Sequence, residues 1–275
     1  MSRGSSLLNL EQIRGVIMRF SKNIIAGALA AAIGMAGLSQ AHAAGELEHV
    51  TLSVYVNPAG APQAFLKDNL LHPMGIEIDI LFELQRRLMF NLKENRVYPL
   101  PRTDAFARLR DGTADLVIGG ISYTEARAEK YDFTPVFWHS SLGILYSKDG
   151  GRAIRNENDI KGRRIGVEKD STAEDYAAKY GATPVYFTNL TMAIYQLSAG
   201  QLDGLIYDRP PIADFASSVP SMNMGVTDSK FGEEACMFAF ALAKHSPYTK
   251  YISDTLKEMQ EDGTIDGILA EWGAE

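Results

Sequence analysis

The sequence holds one cysteine, Cys236. No disulfide can form within the chain, and no Cys-x-x-Cys redox or zinc motif exists. The five histidines, at 42, 49, 72, 139 and 245, do not cluster at ligand spacing, which speaks against a metal site. Neither a phosphate loop nor a nucleophile elbow is present. Positive charge is scarce. Of 27 basic and 34 acidic residues, four basic and one acidic fall within 1–43, which leaves 23 against 33 and a net charge of −10 for the remainder. Phosphate backbones and anionic lipid need clustered Lys and Arg, so nucleic acid and direct membrane insertion are not expected. Long apolar runs are also missing. The most apolar stretch, Ile24 to Leu38, is about 15 residues rich in Ala and Gly, short of the roughly 20 that span a bilayer.

That stretch has another use. It follows Arg19 and Lys22 and precedes "AHA" at 41–43, the small residues that a signal peptidase selects. Residues 1–43 are expected to be a signal peptide cleaved after Ala43, with 1–17 an extension from an early start codon. No cysteine follows the cleavage region to carry a lipid, so a soluble periplasmic protein is expected. Cys236, within "EEACMFAFAL", reads as a small buried hydrophobe.

Beyond residue 44 the periodicity alternates between two and 3.6. "HVTLSVYV" (49–56) reads as a strand, and "IEIDILFELQRRLMF" as a helix with Ile76, Ile80, Leu81, Leu84 and Leu88 on one face. "NRVYPL" is a strand, a helix starts at Thr103 and stops at Gly112, and a buried strand covers Asp115 to Ile118. After "SKDGG" the order repeats: strand "GRRIGVE", a helix capped by Ser171 or Thr172, strand "TPVYF", helix "LTMAIYQLSAGQ" and strand "LDGLIYD" ending at Asp208. The tail holds two amphipathic helices broken at Gly263. The pattern predicts two α/β lobes, each on a largely parallel sheet. "SSLGILYSK" and "CMFAFALAK" are expected to carry the chain across and back, with lobe 1 over 44–145 and 239–275 and lobe 2 over 146–238. Two crossings make a two-strand hinge. Ligands of open α/β sheets collect beyond the carboxyl ends of the strands, so the cleft should be built from loops such as "GGISYTEAR" and "YDRPP".

Four ordered motifs, "GIEIDILFELQRRL", "GGISYTEARAEKYDFTPVF", "GRRIGVEKDSTAEDY" and "EDGTIDGILAEWG", resemble those of the periplasmic solute-binding proteins that deliver polar amino acids to ABC importers. The resemblance runs over residues 49–273. It implies the two-lobed type II periplasmic-binding-protein fold, an L-amino acid ligand, an inner-membrane permease as partner, a monomer, and no catalysis or cofactor. It assigns Arg127 to the ligand carboxylate, with Ser122 and the backbone near Gly120 as further partners, and Thr172 beside Ser171 to the same carboxylate. Asp208 is assigned to the ammonium. The chemistry agrees: a planar guanidinium makes two parallel bonds to a carboxylate, helix N-terminal N–H groups attract anions, and a carboxylate buried at a strand end needs a cation.

The chain departs from that pattern where the ligand side chain is held. Gly60 and Gln63 stand where aromatics are expected. Asn57, Phe65, Trp138 and Glu168 are the candidate side-chain pocket, with Phe137 as a further aromatic, and Glu168, Lys169 and Asp170 either select a cationic or polar side chain or face solvent. The alternative on the same scaffold is a cyclohexadienyl or prephenate-type dehydratase. It would need a general acid or base, for which His139, Glu168 and Asp208 are the candidates.

Overall fold

The computed structural model describes residues 45–67, 71–149 and 153–274, so the expected export segment lies outside the described residues. The first lobe opens with β1 (Thr51–Leu52), β2 (Val54–Val56), α1 (Ile76–Leu88), β3 (Asn91–Leu92) and β4 (Tyr98–Pro99). It continues with α2 (Arg102–Arg110), β5 (Leu116–Ile118), the short α3 (Glu125–Ala128) and β6 (Tyr131–Phe133). The chain crosses in β7 (Trp138–His139). The second lobe holds β8 (Leu142–Ser147), β9 (Arg164–Glu168), α4 (Thr172–Lys179), β10 (Thr183–Phe187), α5 (Leu190–Ser198), β11 (Gly204–Asp208), α6 (Arg209–Ser218) and β12 (Met224–Val226). The chain returns through β13 (Met237–Phe238) to β14 (Ala241–Ala243), α7 (Thr249–Glu261) and α8 (Thr264–Glu271).

Each lobe is built on a five-stranded sheet, in the order β4-β2-β5-β14-β6 in the first and β10-β9-β11-β8-β12 in the second. In the first, β2 runs parallel to β4 and β5, and the returning β14 is antiparallel to β5 and β6. In the second, β9 runs parallel to β10 and β11, and β8 is antiparallel to β11 and β12. Each lobe therefore receives one antiparallel strand from the crossing chain.

Local chemistry sets the element ends. α1 carries Glu77 and Asp79 in its first turn and Arg86 and Arg87 in its last, complementing the helix dipole. Its buried face includes Ile80, Leu81, Leu84 and Leu88. Burying each such side chain contributes roughly 1.5–3 kcal/mol. Ser171 caps α4, its hydroxyl accepting from the Glu174 N–H. α7 and α8 part at Gly263, whose φ of 80° suits glycine.

Two expectations need correction. The first-lobe end placed at 145 falls inside β8, which pairs with β11 and β12 in the second sheet. Leu142, Gly143, Ile144 and Leu145 are all buried, as befits a strand flanked by β11 and β12 and covered on both faces. The crossings are β7 and β13, antiparallel with Trp138 opposite Phe238 and His139 opposite Met237. The "YDRPP" segment is also not a loop: α6 starts at Arg209, with prolines in its first turn, where a missing N–H costs nothing.

Candidate functional site

The end of β5 leads into a turn that only glycine can make. Gly119 has φ +99°, and a Cβ there would lie 2.0 Å from the Asn57 carbonyl oxygen. Asn57 secures the turn, donating from Nδ2 to the Gly119 carbonyl at 3.0 Å. Beneath it lies Glu77, fully buried, whose two carboxylate oxygens accept the N–H groups of Gly119 and Gly120, each at 2.6 Å. Burial raises the Glu77 carboxyl to about 7, against those two bonds, and the nearby Asp208 charge adds to the rise. The Gly120 N–H expected to face a ligand is thus already taken, and so is the Asn57 amide expected in the side-chain pocket.

Arg127 stands in α3, held by the Thr124 cap. Its Nη1 donates to the Ser122 carbonyl at 2.8 Å and its Nη2 reaches the Asp170 carbonyl of the second lobe at 2.9 Å. Neither partner carries charge. Burial, and then the neighbouring Arg102, lower it to about 10, so it stays cationic at neutral pH. Ser122 is buried and bridged to Phe238 of the hinge.

From the other lobe, Asp208 ends β11 beside Gly120, where a Cβ would lie 3.4 Å from its Oδ2. Among the described residues Asp208 makes no salt bridge; the Cys236 thiol faces its Oδ1 at 3.6 Å. Burial raises its carboxyl to about 6, opposed by Arg102, by that thiol and by the Gln63 amide, and assisted by Glu168. Gln63 is fully buried, and its amide lies close enough to favour the charged Asp208 without reaching the geometry of a full hydrogen bond. Burial first, and then the same carboxylate, push the Cys236 thiol well above its ordinary range, so it is protonated at neutral pH.

A second cation and a second carboxylate close the ring. Arg102, at the start of α2, pairs through Nη2 with Oε2 of Glu168, at the end of β9, and both side chains are buried. Burial raises the Glu168 carboxyl, with Arg102 and Arg127 opposing. A pocket of about 630 Å³ opens beside Arg102, Phe106, Arg127 and Asp170.

The structure thus brings Arg127, Ser122, Gly120, Asp208 and Glu168 into one neighbourhood, and of these five Arg127 alone lines that pocket. Thr172 and Ser171 start α4, the Thr172 hydroxyl donating to the Ala235 carbonyl and that of Ser171 to the Glu168 carbonyl. The hydroxyls are committed there. Phe65 and Trp138 take up other contacts: Phe65 packs edge-on to Trp272 at 5.9 Å, and Trp138 lies on Phe238 and donates to the Ala274 carbonyl. Phe137 packs on Phe240 in the core. Sequence reasoning missed Arg102, Glu77 and a role for Gln63. Glu77 left a signal, a carboxylate in register with Leu81, Leu84 and Leu88 on an apolar helix face; Arg102 left none.

The arrangement presents a half-buried cation, Arg127, and a half-buried anion, Asp208, from opposite lobes, and among the described residues neither makes a salt bridge. An L-cystine-binding protein of Escherichia coli (strain K12) is 24% identical over 72% of this chain and 73% of its own. A solved ancestral arginine-binding protein bound to glutamine superposes with a TM-score of 0.74 at 26% identity, over 82% of this chain and 98% of its own. An ancestral amino acid-binding protein described as a precursor of cyclohexadienyl dehydratase does so with 0.69 at 25%, over 81% and 94%. The fold is the two-lobed type II periplasmic-binding-protein fold. Residues 52–275 match the model of the bacterial extracellular solute-binding proteins, family 3, and the chain belongs to that family.

Proposed function

We propose that the protein is the periplasmic substrate-binding component of an ABC importer, closing around a polar L-amino acid and handing it, as a monomer, to a membrane permease. The observation that carries this reading is the pair of half-buried charges, Arg127 and Asp208, that make no salt bridge among the described residues. A buried ion without a counter-ion is costly. A zwitterion supplies both counter-ions at once, its carboxylate replacing the Ser122 and Asp170 carbonyls or sharing Arg127 with them, and its ammonium meeting Asp208. Because the two charges come from different lobes, ligand favours the closed form over the open one, as differential binding requires. Among the described residues no helix is long and apolar enough to cross a membrane, in keeping with a periplasmic component. Relatives named for amino acid binding support the class of ligand.

Thermal unfolding of the protein, stripped by unfolding and refolding, against a panel of L-amino acids and prephenate tests this. Ligand at about 100 times its dissociation constant adds roughly 2.7 kcal/mol, a rise of roughly 5–10 °C for a chain of this size. One amino acid is expected to give it, and Arg127→Ala or Asp208→Ala to abolish it. The dehydratase reading draws on one observation, an Asp208 carboxyl raised to about 6, in the range of a general acid. The His139 side chain offers it nothing, standing exposed on the hinge. Stabilisation by prephenate alone, with its turnover, would replace the amino-acid reading.

A further inference from the structure

The two charges assigned to the amino acid backbone are not the only ones around the cleft. Arg102 and Glu168 stand beside them, one from each lobe, and bond to each other; their side chains are 7% and 8% exposed. Arg102 also acts on Asp208 and Arg127, and Glu168 on both as well, so the four groups share one low-dielectric space. Their charges sum to zero before a ligand enters. Asp175 acts on Arg127 from the exposed face of α4, and Glu77 is occupied by two backbone N–H groups.

A zwitterion leaves that sum unchanged, its carboxylate answering Arg127 and its ammonium Asp208. What its side chain carries is then decided by what is left over. An ammonium or guanidinium on the side chain would compete with Arg102 for the single carboxylate of Glu168. A side-chain carboxylate would compete with Glu168 for Arg102 and stand near Asp208 and Glu77. In either case one charge is stranded out of water, a heavy penalty when a buried pair loses a member. An uncharged polar side chain strands no charge, and beside Asp208 the buried carboxamide of Gln63 holds a donor and an acceptor without full hydrogen bonds.

We propose that the Arg102–Glu168 pair is the specificity determinant of the cleft, restricting the ligand to an amino acid with an uncharged polar side chain and excluding cationic and acidic ones. This rests on the amino-acid reading above and narrows it. It also removes the expectation that Glu168 selects a cationic side chain, since Arg102 already occupies that carboxylate.

The two residues pull in opposite directions, which makes the idea testable by paired variants. Dissociation constants of the stripped protein are measured by titration calorimetry for L-glutamine, L-glutamate and L-lysine, near-isosteres of different charge, with L-asparagine, L-serine and L-cystine alongside. A neutral amino acid is expected to bind at least about a hundredfold tighter than the charged ones. Glu168→Gln frees Arg102 and is expected to improve glutamate relative to lysine at least tenfold; Arg102→Gln frees Glu168 and is expected to improve lysine relative to glutamate by as much. General damage to the fold cannot produce opposite shifts. A wild-type preference for a charged side chain or for cystine overturns the proposal while leaving the amino-acid reading intact. So do variants that shift together or not at all. If no amino acid binds the wild type, both fall.

Discussion

Arg102 at the start of one helix and Glu168 at the end of a strand in the other lobe form a buried ion pair that spans the cleft. Such a pair within a rigid core contributes little net stability, because desolvating two ions offsets their attraction. Across a hinge the comparison is different: the alternative to pairing is opening, which returns both groups to water. The pair therefore acts on the balance between open and closed lobes more than on folding, together with the Arg127 bond to the Asp170 carbonyl.

Removing one partner should then open the molecule instead of unfolding it. Arg102→Ala strands Glu168 only while the lobes stay shut, so the protein escapes a penalty of about 3–5 kcal/mol by hinge opening. Small-angle scattering of the unliganded variant is expected to give a larger radius of gyration than the wild type, with the unfolding temperature lowered by no more than about 5 °C. A fall well beyond that with no change in radius would mean that the pair serves the fold.

Glu77 has no such escape, since both of its N–H partners lie in its own lobe. Glu77→Ala leaves two buried amides unpaired, at about 1–3 kcal/mol each. The expected loss is roughly 2–6 kcal/mol, or about 5–20 °C for a domain pair of this size. Glu77→Gln keeps one acceptor and should lose about half as much. Calorimetry of both variants decides, and equal losses would show that the space matters and the bonds do not.

Gly119→Ala forces a Cβ to within 2.0 Å of the Asn57 carbonyl at a φ of +99°, so the turn that presents Gly120 and Ser122 must move. Ligand stabilisation is expected to vanish, while Gly112→Ala, whose Cβ would meet nothing within 4 Å at φ +76°, should cost only about 1 kcal/mol of backbone strain. Comparable loss of ligand response in both would remove the turn from the site.

The architecture was legible because its signals are local. Amphipathic spacing marked α1, cap residues marked α4, and the Gly263 break divided α7 from α8. The first crossing was displaced because "LGILY" is an unbroken run without charge, a property that fits a central strand at least as well as a crossing, whereas the return segment "CMFAFALAK" does hold the crossing strand β13. Arg127 and Asp208, the two charges proposed to meet the amino acid backbone, were legible from their place in ordered motifs. Arg102 and Gln63 were not, since their meaning comes from groups some 60 or more positions away in the chain that fold beside them, Glu168 and Asp208, and nothing in a linear pattern pairs them. Glu168 was noticed for its charge, and its partner reversed what that charge implies.

The pH response follows from Asp208 and Glu77. Each has a folded carboxyl raised above its ordinary value, to about 6 and about 7, by burial in the first place. The folded protein therefore holds protons that the unfolded chain has already lost, so unliganded stability falls as pH rises through the interval from about 4 to 7, and is flat above it. For Asp208 alone the change is on the order of 3 kcal/mol. Ligand reverses the sign locally. An ammonium beside Asp208 favours the ionised carboxylate, so binding expels a proton below about pH 6 and affinity drops about tenfold per pH unit from there. Unfolding of the stripped protein and calorimetric titration in buffers of different ionisation enthalpy, from pH 4.5 to 8, read both trends. The unliganded unfolding temperature should decline toward neutral pH as ligand affinity climbs, with Asp208→Asn losing its share of both. Affinity that stays level from pH 7.5 to 5, with no proton released, would separate Asp208 from the ligand's ammonium.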